Sequence, residues 1–544
     1  MRATVLPVLL WAPLALAVEI PTGDTPVRVN VTNTSIASWH ASNGNSTLCD
    51  DDYAEGLERL NLTGSWEGFE VGLRLDGSLY LSDPEPAPFN AARQRCLQVE
   101  LSDRLGNRNR YLDTLIPEKI WAGWSGEHVE ITLGDSYVSF GRGLTLSLRK
   151  TDELGLDTTN RGLRARIRTG LFDATLVSGF TNINNVDEAS GRYEADPNDG
   201  VLGATADVRL FDRIRVGGSV AGFFFHQPVS SRAPRGEDQS FQERWIQGGP
   251  KIDAPRLLPW LGVYLEGIAQ RRNEVDDDHT TGYGLYGTAT AYFGPVTLLV
   301  EGKAYGDLQV VQPDFENLDF DAVQYNALPT VERVLQPITH PQRNIYGGRL
   351  RADWALSPEL VVYANHGFFR DFEGYLDPVS FDLFPGTIND PYVGVDWRWN
   401  EWRATAEVGY RWVQVVGHTV ESDGHLDVNV SRALPWSSSI EAHLIHLERM
   451  HKVSEEDLPW REGTLQVGFR MRPRFAVGAI LDYTTESGQP NVWYPAGTAE
   501  YDFTESSNIR LFVGSSRGGL RCVSGVCRIF PPFTGVKGTL TLRY

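Results

Sequence analysis

The chain has 544 residues, 41% of them hydrophobic, with 54 Gly, 15 Trp, 20 Tyr and 24 Phe but only 3 Met and 4 Cys. Mean hydropathy is -0.28, and no apolar run reaches the roughly 18 residues of a spanning helix, so a helical membrane protein is excluded, as are a coiled coil, a disulfide scaffold and a disordered polymer. A formal net charge of -20 would repel phosphate backbones, which excludes nucleic acid as a partner.

At the N-terminus Arg2 precedes an apolar stretch from Val5 that closes on Ala15-Leu16-Ala17, the small-residue pattern of a signal-peptidase site. Residues 1–17 are therefore expected to be a signal peptide and 18–544 a single domain. Export to an oxidising compartment would let Cys49, Cys96, Cys522 and Cys527 form disulfides, the alternative being four free thiols.

The first strands are expected near 25–40, 57–66, 69–82, 110–125 and 127–135, with tight turns at Glu67-Gly68 and Ser125-Gly126. Residues 136 to 160 have no obvious place in such a series. Two placements stay open: an external loop, or a segment folded inward as a constriction or plug. From residue 161 two-residue alternation recurs through about 19 further strands. One sets Leu163, Ala165 and Ile167 on one face and Arg164, Arg166 and Arg168 on the other; another sets Ala404, Ala406, Val408, Tyr410 and Trp412 against Thr405, Glu407, Gly409 and Arg411.

Tight connections are expected near Thr169-Gly170, Phe211-Asp212, Ala254-Pro255, Gly294-Pro295, Ser357-Pro358, Asn400-Glu401, Pro435, Pro473 and Glu505-Ser506. Longer loops fall between them, around 182–198, 227–240, 309–342 and 372–388, with shorter ones near 272–279, 452–461, 488–495 and 522–530. Short turns at one end and long loops at the other are the signature of an outer-membrane barrel. The fold class is accordingly all-β, a transmembrane antiparallel β-barrel of about 24 strands, in the Gram-negative outer membrane. Trp66, Trp121, Trp124, Trp260, Trp354, Trp397, Trp399, Trp402 and Trp436 lie near the proposed tight turns, as an interfacial aromatic girdle requires. The chain ends on Lys537, Gly538, Leu540, Leu542 and Tyr544, an alternating strand with a terminal aromatic. This ending resembles the signal by which the outer-membrane assembly machinery recognises its clients, with Gly538, Leu540, Leu542 and Tyr544 as its carriers.

The stretch Leu133-Gly134-Asp135-Ser136-Tyr137-Val138-Ser139-Phe140-Gly141-Arg142-Gly143-Leu144, with the later Leu154-Gly155 and Asn160-Arg161-Gly162, resembles a poorly characterised family of large Gram-negative outer-membrane, porin-like barrels. The resemblance covers about 25–180. It implies fold and compartment, and no substrate or catalytic residue.

Candidate chemistry is sparse. Arg142, Arg149, Arg164, Arg166 and Arg168 would bring positive charge to the lumen, and Glu407 and Arg411 face it from the C-terminal half. Inward positions mix both signs, so strong ion selectivity does not follow. Acidic clusters at 50–52, 187–188, 274–278 and 314–321 lack EF-hand spacing. Gly282 to Gly287 fits a dinucleotide fingerprint and Gly514 to Gly518 a nucleophile elbow, but neither has the strand-to-helix context its chemistry needs. His443 and His446 have opposite parity on a strand and cannot share a face. No enzyme activity, cofactor or metal is expected. The expected function is passage of small hydrophilic solutes, with loops and an inward constriction setting selectivity. The alternative is a non-conducting barrel that serves as an anchor, an export-system component or a surface-adhesion protein. Expected partners are outer-membrane lipids and lipopolysaccharide, the barrel assembly machinery, and an unidentified periplasmic or extracellular protein.

Overall fold

The computed structural model describes residues 18–543 apart from 22–24, 45–51, 83–113, 188–195, 212, 227–242, 274–278, 310–324, 330, 332–343, 377–379, 381, 454–455, 473 and 524–525. Twenty-four antiparallel strands, from Val27–His40 to Phe533–Arg543, pair each with its neighbours in the wall. The last strand pairs both with Asn508–Ser516 and with the first, where Thr32 stands opposite Arg543 and His40 opposite Gly535. The sheet therefore closes on itself. Closure is what a strand wall in lipid must achieve, since hydrocarbon offers nothing to an unpaired N–H or C=O. A short strand, Val18–Ile20, pairs onto Val27–Val29 beyond the end of the closing strand.

Alternation sorts the side chains into two environments. Leu265 is 43% exposed while its neighbour Glu266 is 2% exposed, and the same contrast recurs at Val300 and Glu301. Exposed Val71, Leu133, Leu202, Val220, Leu350, Val393 and Val513 make the outer face an apolar belt, and buried polar residues line the inner one. Aromatic rims bound the belt: Trp66, Phe69, Trp260, Phe293, Trp354, Trp399 and Trp436 toward the tight turns, Trp39, Phe180, Tyr283, Tyr346, Phe368 and Trp493 toward the other end, all exposed. Trp121 is an exception to the expected girdle. Its ring lies on the inner face over Gly72, where a Cβ would come within 1.9 Å of it.

The tight-turn end follows the expected hairpins, with Trp66 opposite Phe69, Phe293 opposite Val296, and Trp399 opposite Trp402. One turn is displaced. Instead of turning at Ala254-Pro255, the strand continues past an irregularity between Ala254 and Leu258 and closes at Leu258 opposite Leu261; Pro255 lacks an N–H and so sits at the irregularity rather than in a regular ladder. At the opposite end the strands also run further than the loops expected at 372–388 and 452–461, with Leu376 opposite Leu383 and Val453 opposite Glu456. Val415 opposite His418 adds a tight turn there, with Val416 at φ +47° and Gly417 at φ +87°, the positive pair a two-residue hairpin uses.

Candidate functional site

The inward placement of residues 137–158 is the one the structure takes. Their apolar side chains explain it: Val138, Phe140, Leu144, Leu146, Leu148 and Leu154 are all buried, each contributing roughly 1.5–3 kcal/mol that an external loop would forgo. Val138–Phe140 pairs with Leu146–Leu148 as a small hairpin. Its tip turns through Gly141 at φ +57° and Gly143 at φ +96°. A Cβ at Gly141 would fall 2.4 Å from the Glu266 carboxylate, so glycine is what lets the tip touch the wall. There the Arg142 N–H and the Tyr264 hydroxyl both donate to Glu266 Oε2, at 2.8 and 2.5 Å. Gln247 Nε2 donates to the Thr145 carbonyl at 2.7 Å, and the Ser219 and Thr145 hydroxyls lie 2.8 Å apart. Phe140, Leu146 and Leu148 pack with Val177, Phe223, Phe225 and Trp245 of the inner wall.

Among the described residues two further inserts join it. Residues 325–329 lie along the first, with the Ser147 N–H donating to the Tyr325 carbonyl at 2.8 Å and the Ala327 N–H to the Gly143 carbonyl at 3.0 Å. The Tyr325 hydroxyl donates to Asp199. The other insert is the hairpin Gly519–Val523 with Val526–Phe530, from which buried Arg528 donates to the Leu154 carbonyl at 3.0 Å and pairs with Asp187. Phe530 and Leu156 pack against the buried cluster of Leu154 and Ala327.

Charge fixes the ends of the first insert. Asp157 pairs with Arg74 and Lys119 of the wall strands Phe69–Ser82 and Thr114–Ser125, and accepts from the Tyr137 hydroxyl at 2.6 Å. Burial pushes the Asp157 carboxyl up, but Lys119 and Arg74 outweigh it and hold it well below the usual carboxylate range. Arg74 also pairs with Asp76 and donates to Asn184 at 2.8 Å. Both ends of the insert, Tyr137 and Asp157, are thus held at one point.

The plug packs on the strands between 159 and 306, is tied by Asp157 to those at 69–82 and 114–125, and through Leu144, Leu328 and Val331 joins a buried cluster with Ile345, Phe369 and Val413. A cavity of about 1580 Å³ remains against the inner face of the strands from 402 to 516. A row of alternating charge runs along that wall. Arg411 is 3.5 Å from Asp423, Asp423 is 3.3 Å from Arg449, Arg449 is 3.0 Å from Glu462, and Glu462 pairs with Arg517.

The sequence-derived residues fall as follows. Arg142 is exposed at the tip of the insert, its guanidinium 4.9 Å from the Tyr264 ring centre. Arg149 is half-buried in the same insert. Arg164 lies on the inner face opposite buried Val177, Arg166 pairs with Asp173 at 2.6 Å, and Arg168 lies 3.6 Å from Glu130. Glu407 accepts from the Tyr363 hydroxyl at 3.1 Å. Glu407 and Arg411 share the lumen but not the plug. His443 bonds inward to Asp427 and His446 stacks on Tyr483 instead, so they do not meet. Leu540 stands opposite exposed Ile509 on the outer face; Gly538 and Leu542 are in the closing strand, and Tyr544 lies outside the described residues, as do the signal segment, Cys49, Cys96 and most of the acidic clusters. Cys522 and Cys527 occupy directly opposed positions. Sequence reasoning missed Arg74, Lys119, Asp157, Arg449, Glu462 and Arg528. For Arg74, Arg449 and Glu462 the inward parity of their strands was an available signal.

The profile of a family of unknown function, DUF6029, matches residues 426–544. The match falls at the C-terminal end rather than over 25–180, where the sequence resemblance lies. No curated protein matches the chain by sequence. Among solved structures, the chain is similar to the siderophore receptor PirA from Pseudomonas aeruginosa, at 10% identity over 97% of this chain and 81% of that one, with a TM-score of 0.48. It is also similar to the outer membrane protein opdK from Pseudomonas aeruginosa, at 13% identity over 75% and 96%, TM-score 0.38. The translocation pore of the P pilus usher PapC is a third likeness, at 8% identity over 95% and 99%, TM-score 0.40. The closed wall rests on its own register, and what this chain carries must be read from its own lumen.

Proposed function

We propose that the protein is an outer-membrane channel for small hydrophilic solutes in Gram-negative bacteria, with the inward plug as its constriction. The observation that carries this reading is the charge-lined cavity between the plug and the strands from 402 to 516: a barrel of this size cannot fill its lumen with wall side chains, and here the inserts leave that space beside them. The barrel assembly machinery is its assembly partner on this reading, through Gly538, Leu540, Leu542 and Tyr544, and lipid and lipopolysaccharide surround it.

The test is conductance of the purified full-length barrel in a planar bilayer, beside a variant in which residues 138–148 are replaced by a short Gly-Ser linker. Steady current from the intact protein, rising severalfold in the variant, is expected. Silence in both sinks the channel reading. The alternative of a non-conducting anchor is favoured by one observation, the buried ion pairs of Asp157 and Arg528 that tie the plug in place; it predicts that silence.

A further inference from the structure

Tyr494, on the strand Trp493–Asp502, is 3% exposed, and its hydroxyl has no hydrogen-bond partner among the described residues. Trp460, on Glu456–Met471, has a buried indole N–H in the same condition. Both line the cavity beside the plug. Buried polar atoms almost always find a partner, because leaving one unmade forfeits its hydration. Two such atoms, on residues that line one cavity, are the groups that a solute entering it would satisfy by a small side-chain rotation.

The charge around them narrows its chemistry. Among the described lining residues there are five Arg and Lys (Arg411, Arg449, Lys452, Arg517, Arg521) and five Asp and Glu (Glu421, Asp423, Glu462, Asp482, Glu486), a formal balance of 5 - 5 = 0. The row from Arg411 to Arg517 is already paired internally, and Asp482 accepts from the Thr464 hydroxyl at 2.7 Å. A charged solute lodged against that row would have to break a pair and leave one member uncompensated, which is costly away from water. Hydroxyl groups would not: each carboxylate keeps a lone pair to accept, and each guanidinium further N–H groups to donate. The lining also presents partly exposed aromatic rings, from Trp460, Phe512 and Phe530. Flat apolar faces beside dense neutral hydrogen bonding suit a molecule with C–H faces and hydroxyl edges. The volume, about 1580 Å³, exceeds the roughly 300–1,000 Å³ of an ordinary small-ligand pocket and so has room for more than one ring.

We propose that this cavity binds uncharged oligosaccharides, with the Tyr494 hydroxyl and the Trp460 N–H bonding sugar hydroxyls and the surrounding rings stacking on sugar faces. The proposal rests on the reading of the barrel as a solute channel and names the class of solute. The experiment is calorimetric titration of the detergent-solubilised full-length protein with maltohexaose, cellohexaose and chitohexaose, and with benzoate, glutamate and lysine, in parallel with the bilayer recordings. At least one neutral hexaose is expected to bind, with Tyr494→Phe and Trp460→Phe each weakening it about fivefold, the cost of one neutral hydrogen bond, and leaving the melting temperature unchanged. Absence of binding by all three hexaoses, tighter binding of a charged probe, or affinities unmoved by both variants would overturn the proposal. Conductance without oligosaccharide binding overturns this inference alone; oligosaccharide binding without conductance overturns the channel reading alone.

Discussion

Arg528 joins three parts of the chain that no local pattern connects. Its guanidinium meets the Leu154 carbonyl and the Asp187 carboxylate, the latter 341 residues away in sequence. With both charges buried, removing one leaves the other uncompensated, at about 3–5 kcal/mol. Arg528→Met is therefore expected to loosen the plug while the wall persists, seen as faster hydrogen exchange at 146–157 with an unchanged β-sheet circular dichroism spectrum; unchanged exchange would show that the joint holds nothing. Asp199 sits at a second joint, accepting from the Tyr325 hydroxyl and, at 2.7 Å, from the His226 N–H. Burial pushes its carboxyl up to about 6 from an ordinary 3.8, against those two hydrogen bonds and with a further rise from Glu243. The folded protein thus holds this proton more tightly than the unfolded chain does. The resulting stabilisation is complete below about pH 4 and is lost as pH rises through about 6. Bilayer recordings should show more frequent opening at pH 7 than at pH 4.5, and Asp199→Asn should flatten that difference; a pH response identical in the variant would place the titrating group elsewhere. Single-residue legibility divides along the same line. Glu407 and Arg411 are readable because strand parity alone puts them inward, whereas the roles of Asp157 and Arg528 depend on partners brought together only by closure of the barrel.

At the scale of elements, periodicity was legible wherever a strand had lipid on one side and water on the other, because that contrast is written into every second residue. It failed where the contrast fades. No turn is expected at Val416-Gly417, since valine at a positive φ is an unfavourable choice. Ala254-Pro255 reads as a turn because proline is usually one, yet a strand irregularity accommodates it equally well. The insert 137–158 left both placements open, because a hairpin with leucines on one face looks the same outside the wall as inside. Its partners, Gln247, Glu266 and Tyr325, lie on other elements. The plug hairpin yields its own prediction. Cys522 and Cys527 stand one pair in from the Val523–Val526 end of a two-residue connection, a position of close Cα approach in an antiparallel ladder and within the span a disulfide bridges. Mass spectrometry of the non-reduced, alkylated protein should find this pair linked; alkylation of both without reductant would show free thiols.

For the whole molecule, strand number and topology were readable because closure and lipid leave few alternatives: the wall must be antiparallel, complete and apolar outside. The contents of the lumen were not, since nothing in strand alternation says whether a connection folds in or out. The C-terminal strand is where the molecule depends most on one segment. Phe533–Arg543 bonds on both sides, to the first strand and to the one before it, so anything that prevents its docking leaves two open edges in lipid. Deleting Tyr544 should lower the heat-resistant, membrane-inserted fraction on unboiled gels by severalfold; an undiminished fraction would remove the terminal aromatic from the assembly signal.

The position of the Arg528 hairpin between the last two wall strands also makes the fastening of the plug and the closing of the wall parts of one structure. Residues 137–158 and 325–329 are rooted in earlier connections, but the residue that ties the first of them to Asp187 stands in the connection that leads into the closing strand. The stopper is riveted from the same seam that makes the molecule a cylinder.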